Sequence, residues 1–104
     1  FTFSATTFSS PIQRAFRVMS YGNIEMFNPD HFHSRSQDLE IAHHDAAQFY
    51  WGRASAWLAE EKIFGGGANI LVLPRYRVQD IDTDMDWEMA EFLFQALRMS
   101  KAKL

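Results

Sequence analysis

The chain has 104 residues, the size of one domain, since single domains run about 50 to 250 residues. Apolar residues make up 47% and charged ones 22%, with 5 Gly and 3 Pro, which excludes a disordered tail, a collagen-like chain and a low-complexity linker. A net charge of −3 offers no basic field to nucleic acid, and zero cysteines exclude a disulfide scaffold, a Cys-type zinc site and a thiol nucleophile.

The cysteine-free composition fits a reducing compartment, so a cytoplasmic location is expected. No apolar run approaches the ~20 residues of a membrane span, so no membrane partner is expected. The first residues, Phe1-Thr2-Phe3-Ser4, lack a methionine and look like mid-strand. That is the pattern expected of a processed chain or of a piece of a longer one.

In chain order, Phe1 to Phe8 is rich in β-formers and starts by alternating large apolar with small polar residues, which predicts a strand. Ser9-Ser10-Pro11 punctuates it. Arg14 to Met19 and Ile24 to Phe27, joined at Tyr21-Gly22-Asn23, predict a hairpin. Asn28 to about Asp45 is polar, holds all four histidines and shows little periodicity, so a long loop with short helical turns is expected. Ala46 to Trp51 is dense in aromatics and predicts a short buried strand, closed by Gly52. Helix formers from Arg53 to Glu61 predict a short helix, and Gly65-Gly66-Gly67 a flexible turn.

Asn69 to Pro74 is a continuous apolar run, as in a strand buried on both faces of a parallel or mixed sheet. From Asp84 to about Met99 the pattern is helical, with Ala90, Leu93, Phe94 and Leu97 as the expected buried stripe. Thr83 and Asp86 form a capping-box-like pair, and Lys101 and Lys103 suit the C-terminal end. The order of elements predicts an α/β fold with a mixed sheet and a C-terminal helix.

Chemistry concentrates in Arg75 to Trp87, where Asp80 and Asp82 stand between the apolar strand and the capped helix. In extended chain, i and i+2 share a face. Two hard oxygen ligands converging there would suit Mg²⁺ bridging substrate phosphates. The alternative is a pair of solvated turn acids ahead of a helix cap. His31, His33, His43, His44 and Asp45 suggest a metal cluster, but their spacing is not that of a helical His pair. Loop hydrogen bonding or substrate contact is the preferred role, and a His-based metallohydrolase the less favoured one. Trp51, Trp57 and Trp87 are expected as core or interface anchors, with Trp87 packed under the aspartate segment.

The stretches SSPIQRAFRV, EMFNPDHFHSRSQDLE, HHDAAQFYWG and LPRYRVQDIDTDMDWEMAE, in this order, resemble the CMP-sugar synthetases that activate nonulosonic acids, and within them the pseudaminic acid cytidylyltransferase branch. The likeness runs from about Phe1 to Leu97 and implies a partial nucleotide-diphospho-sugar-transferase-like fold with a protruding hairpin. It also implies transfer of CMP from CTP to the anomeric hydroxyl of a nine-carbon acidic sugar, with release of pyrophosphate and a need for Mg²⁺. By position, Asp80 and Asp82 match metal-binding aspartates. Arg35 and Gln37 match a loop facing the sugar, and Gln48 to Trp51, Tyr50 included, a strand floor beside it. The family's hairpin crosses a homodimer interface, where Arg14, and less securely Gln13, would reach the partner's sugar carboxylate. The family's Gly/Arg/Lys-rich CTP loop has no counterpart among these residues. Residues 1–104 are therefore expected to be the C-terminal, sugar- and metal-side portion, without the CTP-binding half. On its own such a chain could serve as a non-catalytic sugar-binding or dimerisation module.

Overall fold

The computed structural model describes residues 1–100. Lys101 and Lys103 lie outside the described residues. The described chain divides into two compact units, one made of Phe1–Thr6 with residues 44–100, the other of Thr7–His43.

The first unit is built on strand β1 (Thr2–Thr7), the central strand of a three-stranded sheet in the order β4-β1-β5. β5 (Asn69–Val72) pairs with it in parallel, Thr2 opposite Asn69 and Ala5 opposite Val72. β4 (His43–Trp51) occupies the other edge and runs the opposite way: Phe8 N–H donates to the Ala42 carbonyl, while Ser4 meets Gln48 and Phe49. The sheet is therefore mixed, as the order of elements predicts.

Among the described residues the buried ones are Phe3, Ser4, Ala5, Thr6 and Ala46. Two of them are polar, and both are satisfied. Thr6 Oγ1 donates to the Leu73 carbonyl at 2.7 Å, and Ser4 Oγ accepts the N–H groups of Gln48 and Phe49 at 3.1 and 3.2 Å. On the opposite side of β1, Phe3 packs its ring against Phe64 and Tyr50.

Three expectations of burial are corrected. β5 is an edge strand and is exposed throughout, Ile70, Leu71 and Val72 included, rather than covered on both faces. The aromatics of β4 are exposed too, Trp51 at 74%. Trp87 lies in the open and donates its Nε1–H to Glu91 one turn away, instead of packing under the aspartate segment. The physical reason is shared: a three-stranded sheet with one long helix has too few layers to cover this many apolar side chains. Trp57 does find a partner, meeting the Phe1 ring edge-to-face at 4.8 Å.

Helix α1 (Ala54–Leu58) is shorter than its composition suggests. Glu60 takes the left-handed conformation at φ 54°, Glu61 N–H bonds the Ala56 carbonyl and Glu60 N–H that of Trp57. That is the Schellman ending, made without its usual glycine. Gly65-Gly66-Gly67 forms the expected turn, closed from Ala68 N–H to the Gly65 carbonyl. Helix α2 (Asp84–Met99) begins at the capping box read from the sequence. Ala90, Leu93 and Leu97 of its stripe are half-buried and Phe94 is exposed. No described helix is long and apolar enough to cross a membrane.

In the second unit, β2 (Phe16–Val18) and β3 (Ile24–Met26) form the expected antiparallel hairpin, Arg17 opposite Glu25. Its turn needs a positive φ, supplied by Gly22 at 96°, whose N–H closes onto the Met19 carbonyl. Arg14 belongs to a 3-10 turn (Ile12–Arg14) just before the hairpin, not to its strand. The following segment contains two more such turns, Pro29–His31 and Ser36–Asp38. The predicted loop is shorter than expected, because His43, His44 and Asp45 already belong to β4.

Candidate functional site

Side chains alternate along a strand, so residues an odd number apart face opposite sides. Asp45 and Tyr50 are five apart in β4, yet the Tyr50 hydroxyl donates to Asp45 Oδ2. A bulge at Ala47 reconciles the two facts. Ala47 adopts φ 59°, a left-handed conformation that costs an L-residue roughly 1–2 kcal/mol. Its N–H is taken by Asp45 Oδ1 at 2.8 Å. The next two N–H groups, of Gln48 and Phe49, converge on the single hydroxyl of Ser4. Two residues of β4 thus oppose one of β1, which is what a bulge does. The inserted residue brings Asp45 onto the side of Gln48 and Tyr50.

The charge of Asp80 is felt at Tyr50. The Tyr50 hydroxyl is held above the usual phenol value, first by its hydrogen bond to Asp45, then by desolvation and by the charges of Asp45 and Asp80. Gln48 ties the strand to the aspartate segment by donating Nε2–H to the Arg77 carbonyl at 2.8 Å. Gln48, Tyr50 and Asp80, all singled out from the sequence, are thereby gathered in one neighbourhood of the first unit. Asp45 joins them from β4, rather than from a loop or a histidine metal cluster.

The chain leaves β5, makes a 3-10 turn (Arg75–Arg77) and enters α2 through Asp80 and Asp82. Both aspartates are exposed, and among the described residues nothing donates to either carboxylate. A third carboxylate, Asp86, does the structural work there. Its Oδ2 accepts from the N–H groups of Asp82 and Thr83, both at 3.0 Å, while its own N–H donates to Thr83 Oγ1. The division of labour leaves Asp80 and Asp82 available to a ligand. As hard oxygen donors next to a helix start they fit a Mg²⁺ ion, which takes one or two protein carboxylates and completes its shell with water and substrate phosphates.

The Asp82 N–H, followed by Thr83, lowers the Asp86 carboxyl below the usual range. A depressed carboxyl stabilises the fold in full above its unfolded value, near 3.8, and that contribution is lost as pH falls through the folded value. The first turn of α2 is accordingly expected to loosen in acid. Protection of the Asp82 and Thr83 amides, followed by hydrogen exchange, should fall below that range, and Asp86→Ala should show the loss already at neutral pH.

The remaining candidates lie in the second unit. Arg14 Nη2 donates to the Phe32 carbonyl at 3.4 Å. Neighbouring Gln13 donates to the Glu40 carbonyl, and its Oε1 is buried without a hydrogen-bond partner. Arg35 pairs with Asp38 at 3.1 Å, both side chains well exposed. Such a pair is worth about 0–1 kcal/mol, so a ligand carboxylate could replace Asp38 at little loss. Gln37 lines a shallow cleft of about 270 Å³ with Ser9, Ser10, Ser36 and Glu40. Three of the four histidines make local contacts: His31 Nδ1 pairs with Ser34 Oγ, the ring of His33 meets Phe32 edge-to-face, and His44 Nδ1 lies 3.0 Å from the Asp45 carbonyl. Among the described residues no three His, Asp or Glu gather as metal ligands.

The pseudaminic acid cytidylyltransferases of Campylobacter jejuni, from serotypes O:2 and O:23/36, are each 48% identical to the chain over 95 residues, 91% of its length. This chain is a relative of the pseudaminic acid cytidylyltransferases. It spans about two fifths of the Campylobacter proteins' length, 41% in each case. A Helicobacter pylori protein named pseudaminic acid cytidylyltransferase and UDP-2,4-diacetamido-2,4,6-trideoxy-beta-L-altropyranose hydrolase is 32% identical over 78% of the chain, which covers 15% of that protein. No family model matches the chain. The relatives are named for the activity that the motifs imply, and their names bear on the whole proteins rather than on this stretch.

Proposed function

We propose that the full-length protein carrying this sequence transfers CMP from CTP to a nonulosonic acid, pseudaminic acid, and releases pyrophosphate. The observation that carries this reading is the 48% identity to the Campylobacter cytidylyltransferases over 91% of the chain. Asp80 and Asp82 would hold Mg²⁺, which when bound supplies charge neutralisation for the triphosphate. The chain's own residues bind and orient: Tyr50 and Gln48 line the sugar side, and Arg35 offers a guanidinium fork that matches a sugar carboxylate. Little covalent chemistry is asked of the protein, so alignment of the anomeric hydroxyl with the α-phosphate accounts for most of its contribution.

Homodimerisation belongs to the same proposal. Phe16, Val18, Ile24 and Phe27 of the hairpin unit are all more than half exposed, and apolar surface of this extent marks an interaction site. Incubating the full-length enzyme with CTP, Mg²⁺ and pseudaminic acid should release pyrophosphate, and light scattering of the same sample should give twice the chain mass. Absence of CMP-sugar would refute the reading, and a monodisperse monomer its dimeric part. The breadth of exposed apolar surface favours a second reading, in which residues 1–104 alone form a sugar-binding or dimerising module without catalysis. Pyrophosphate release by residues 1–104 alone would exclude it.

A further inference from the structure

The Tyr50 hydroxyl has one proton, and that proton points at Asp45 Oδ2. A carboxylate only accepts, so the direction of this bond is not reversible while Asp45 is ionised. The other Asp45 oxygen is bound to the Ala47 N–H, which prevents the carboxylate from swinging away. The Tyr50 ring is steadied by Phe3, with centroids 6.2 Å apart, and the residue is 40% exposed, so a ligand can reach the phenolic oxygen. What remains on that oxygen are lone pairs. Gln48 is not restricted in this way: its Nε2 gives one N–H to the Arg77 carbonyl, and its second N–H and its Oε1 can donate or accept.

We propose that Asp45 is a positioning residue that makes Tyr50 a hydrogen-bond acceptor toward the substrate, so that β4 selects a sugar presenting a donor, a hydroxyl or an amide N–H, at this point. The inference rests on the reading of β4 as the sugar side of a cytidylyltransferase. It adds a residue, Asp45, and a polarity that the resemblance does not contain. The left-handed Ala47 gains a purpose as well: without the bulge Asp45 would face away from Tyr50, and the hydroxyl could donate or accept.

Asp45→Asn separates polarity from shape. An asparagine Oδ1 still accepts from Ala47, but its Nδ2 donates to Tyr50 and turns the tyrosine proton outward. In the full-length enzyme, Asp45→Asn and Tyr50→Phe should each raise KM for pseudaminic acid about tenfold, the loss of one good hydrogen bond, with KM for CTP unchanged. The double variant should be no worse than either single one, because both remove the same contact. In residues 1–104, hydrogen exchange at the Ala47 amide should be slow in the parent and in Asp45→Asn, and fast in Asp45→Ala. A wild-type sugar KM in Asp45→Asn, with Asp45→Ala impaired, would show a merely structural role and overturn the proposal. So would multiplicative effects in the double variant, or an unprotected Ala47 amide in the parent. A parent enzyme that makes no CMP-sugar although Ala47 is protected would refute the cytidylyltransferase reading, and would uphold the hydrogen-bond order around Asp45.

Discussion

Asp82→Asn in the full-length enzyme is expected to lower kcat/KM for CMP transfer by about 10³-fold, the order of effect that several kcal/mol of lost metal-assisted charge stabilisation produces. The Asp82 carboxylate is spared any part in the helix cap. The residue's backbone N–H caps α2 through Asp86, but its carboxylate receives no hydrogen bond from a described residue. The substitution therefore leaves the helix start intact, and the loss falls on function rather than folding. Asp84→Asn, in the first turn of the same helix, is the natural control and should stay within about twofold, since it alters only a helix-dipole charge of about 0.3–1 kcal/mol. Near-normal turnover in Asp82→Asn, measured as pyrophosphate release at saturating Mg²⁺, would remove Asp82 from the proposed metal site.

Ser4→Ala is expected to destabilise the first unit by about 2 kcal/mol, the loss of two hydrogen bonds at about 1 kcal/mol each. Ser4 is fully buried, and its one hydroxyl oxygen serves both Gln48 and Phe49. Removing it unpins the bulge from β1, so the site should loosen together with the fold. Urea unfolding followed by tryptophan fluorescence reads the first effect. Faster exchange of the Ala47 amide at low denaturant reads the second. Thr6→Val, which removes a single donor to the Leu73 carbonyl, should cost about 1 kcal/mol and leave Ala47 protected. An unchanged unfolding midpoint in Ser4→Ala would mean that water satisfies the two amides and that the bulge is held by Asp45 alone.

The aspartate segment illustrates how much of the site was legible. Thr83 and Asp86 announce the start of α2 because a capping box is written within four residues. Asp80 and Asp82 stand out as carboxylates left over once that cap is accounted for. The hairpin was legible for the same reason, as Gly22 supplies the conformation its turn requires. Asp45 was not legible. Nothing around Ala47 signals a left-handed residue, since the usual glycine or asparagine is absent. Strict alternation therefore places Asp45 and Tyr50 on opposite faces. The end of α1 is unmarked in the same way, with Glu60 standing where a glycine would mark the Schellman turn.

The sequence by itself determined the kinds of element and their order, the helix cap, the turn chemistry and the family likeness, because each of these is encoded in contiguous residues. Only the tertiary structure decided which faces are covered and which side chains meet. The apolar run of β5 reads as doubly buried, but its place at the edge of the sheet leaves it exposed. The Asp45–Tyr50 pair exists because Ser4 accepts the amides of Gln48 and Phe49, 44 and 45 residues further along the chain, and holds a bulge in β4. Strand pairing over such separations depends on which segments find each other in space, and local propensity carries no record of it.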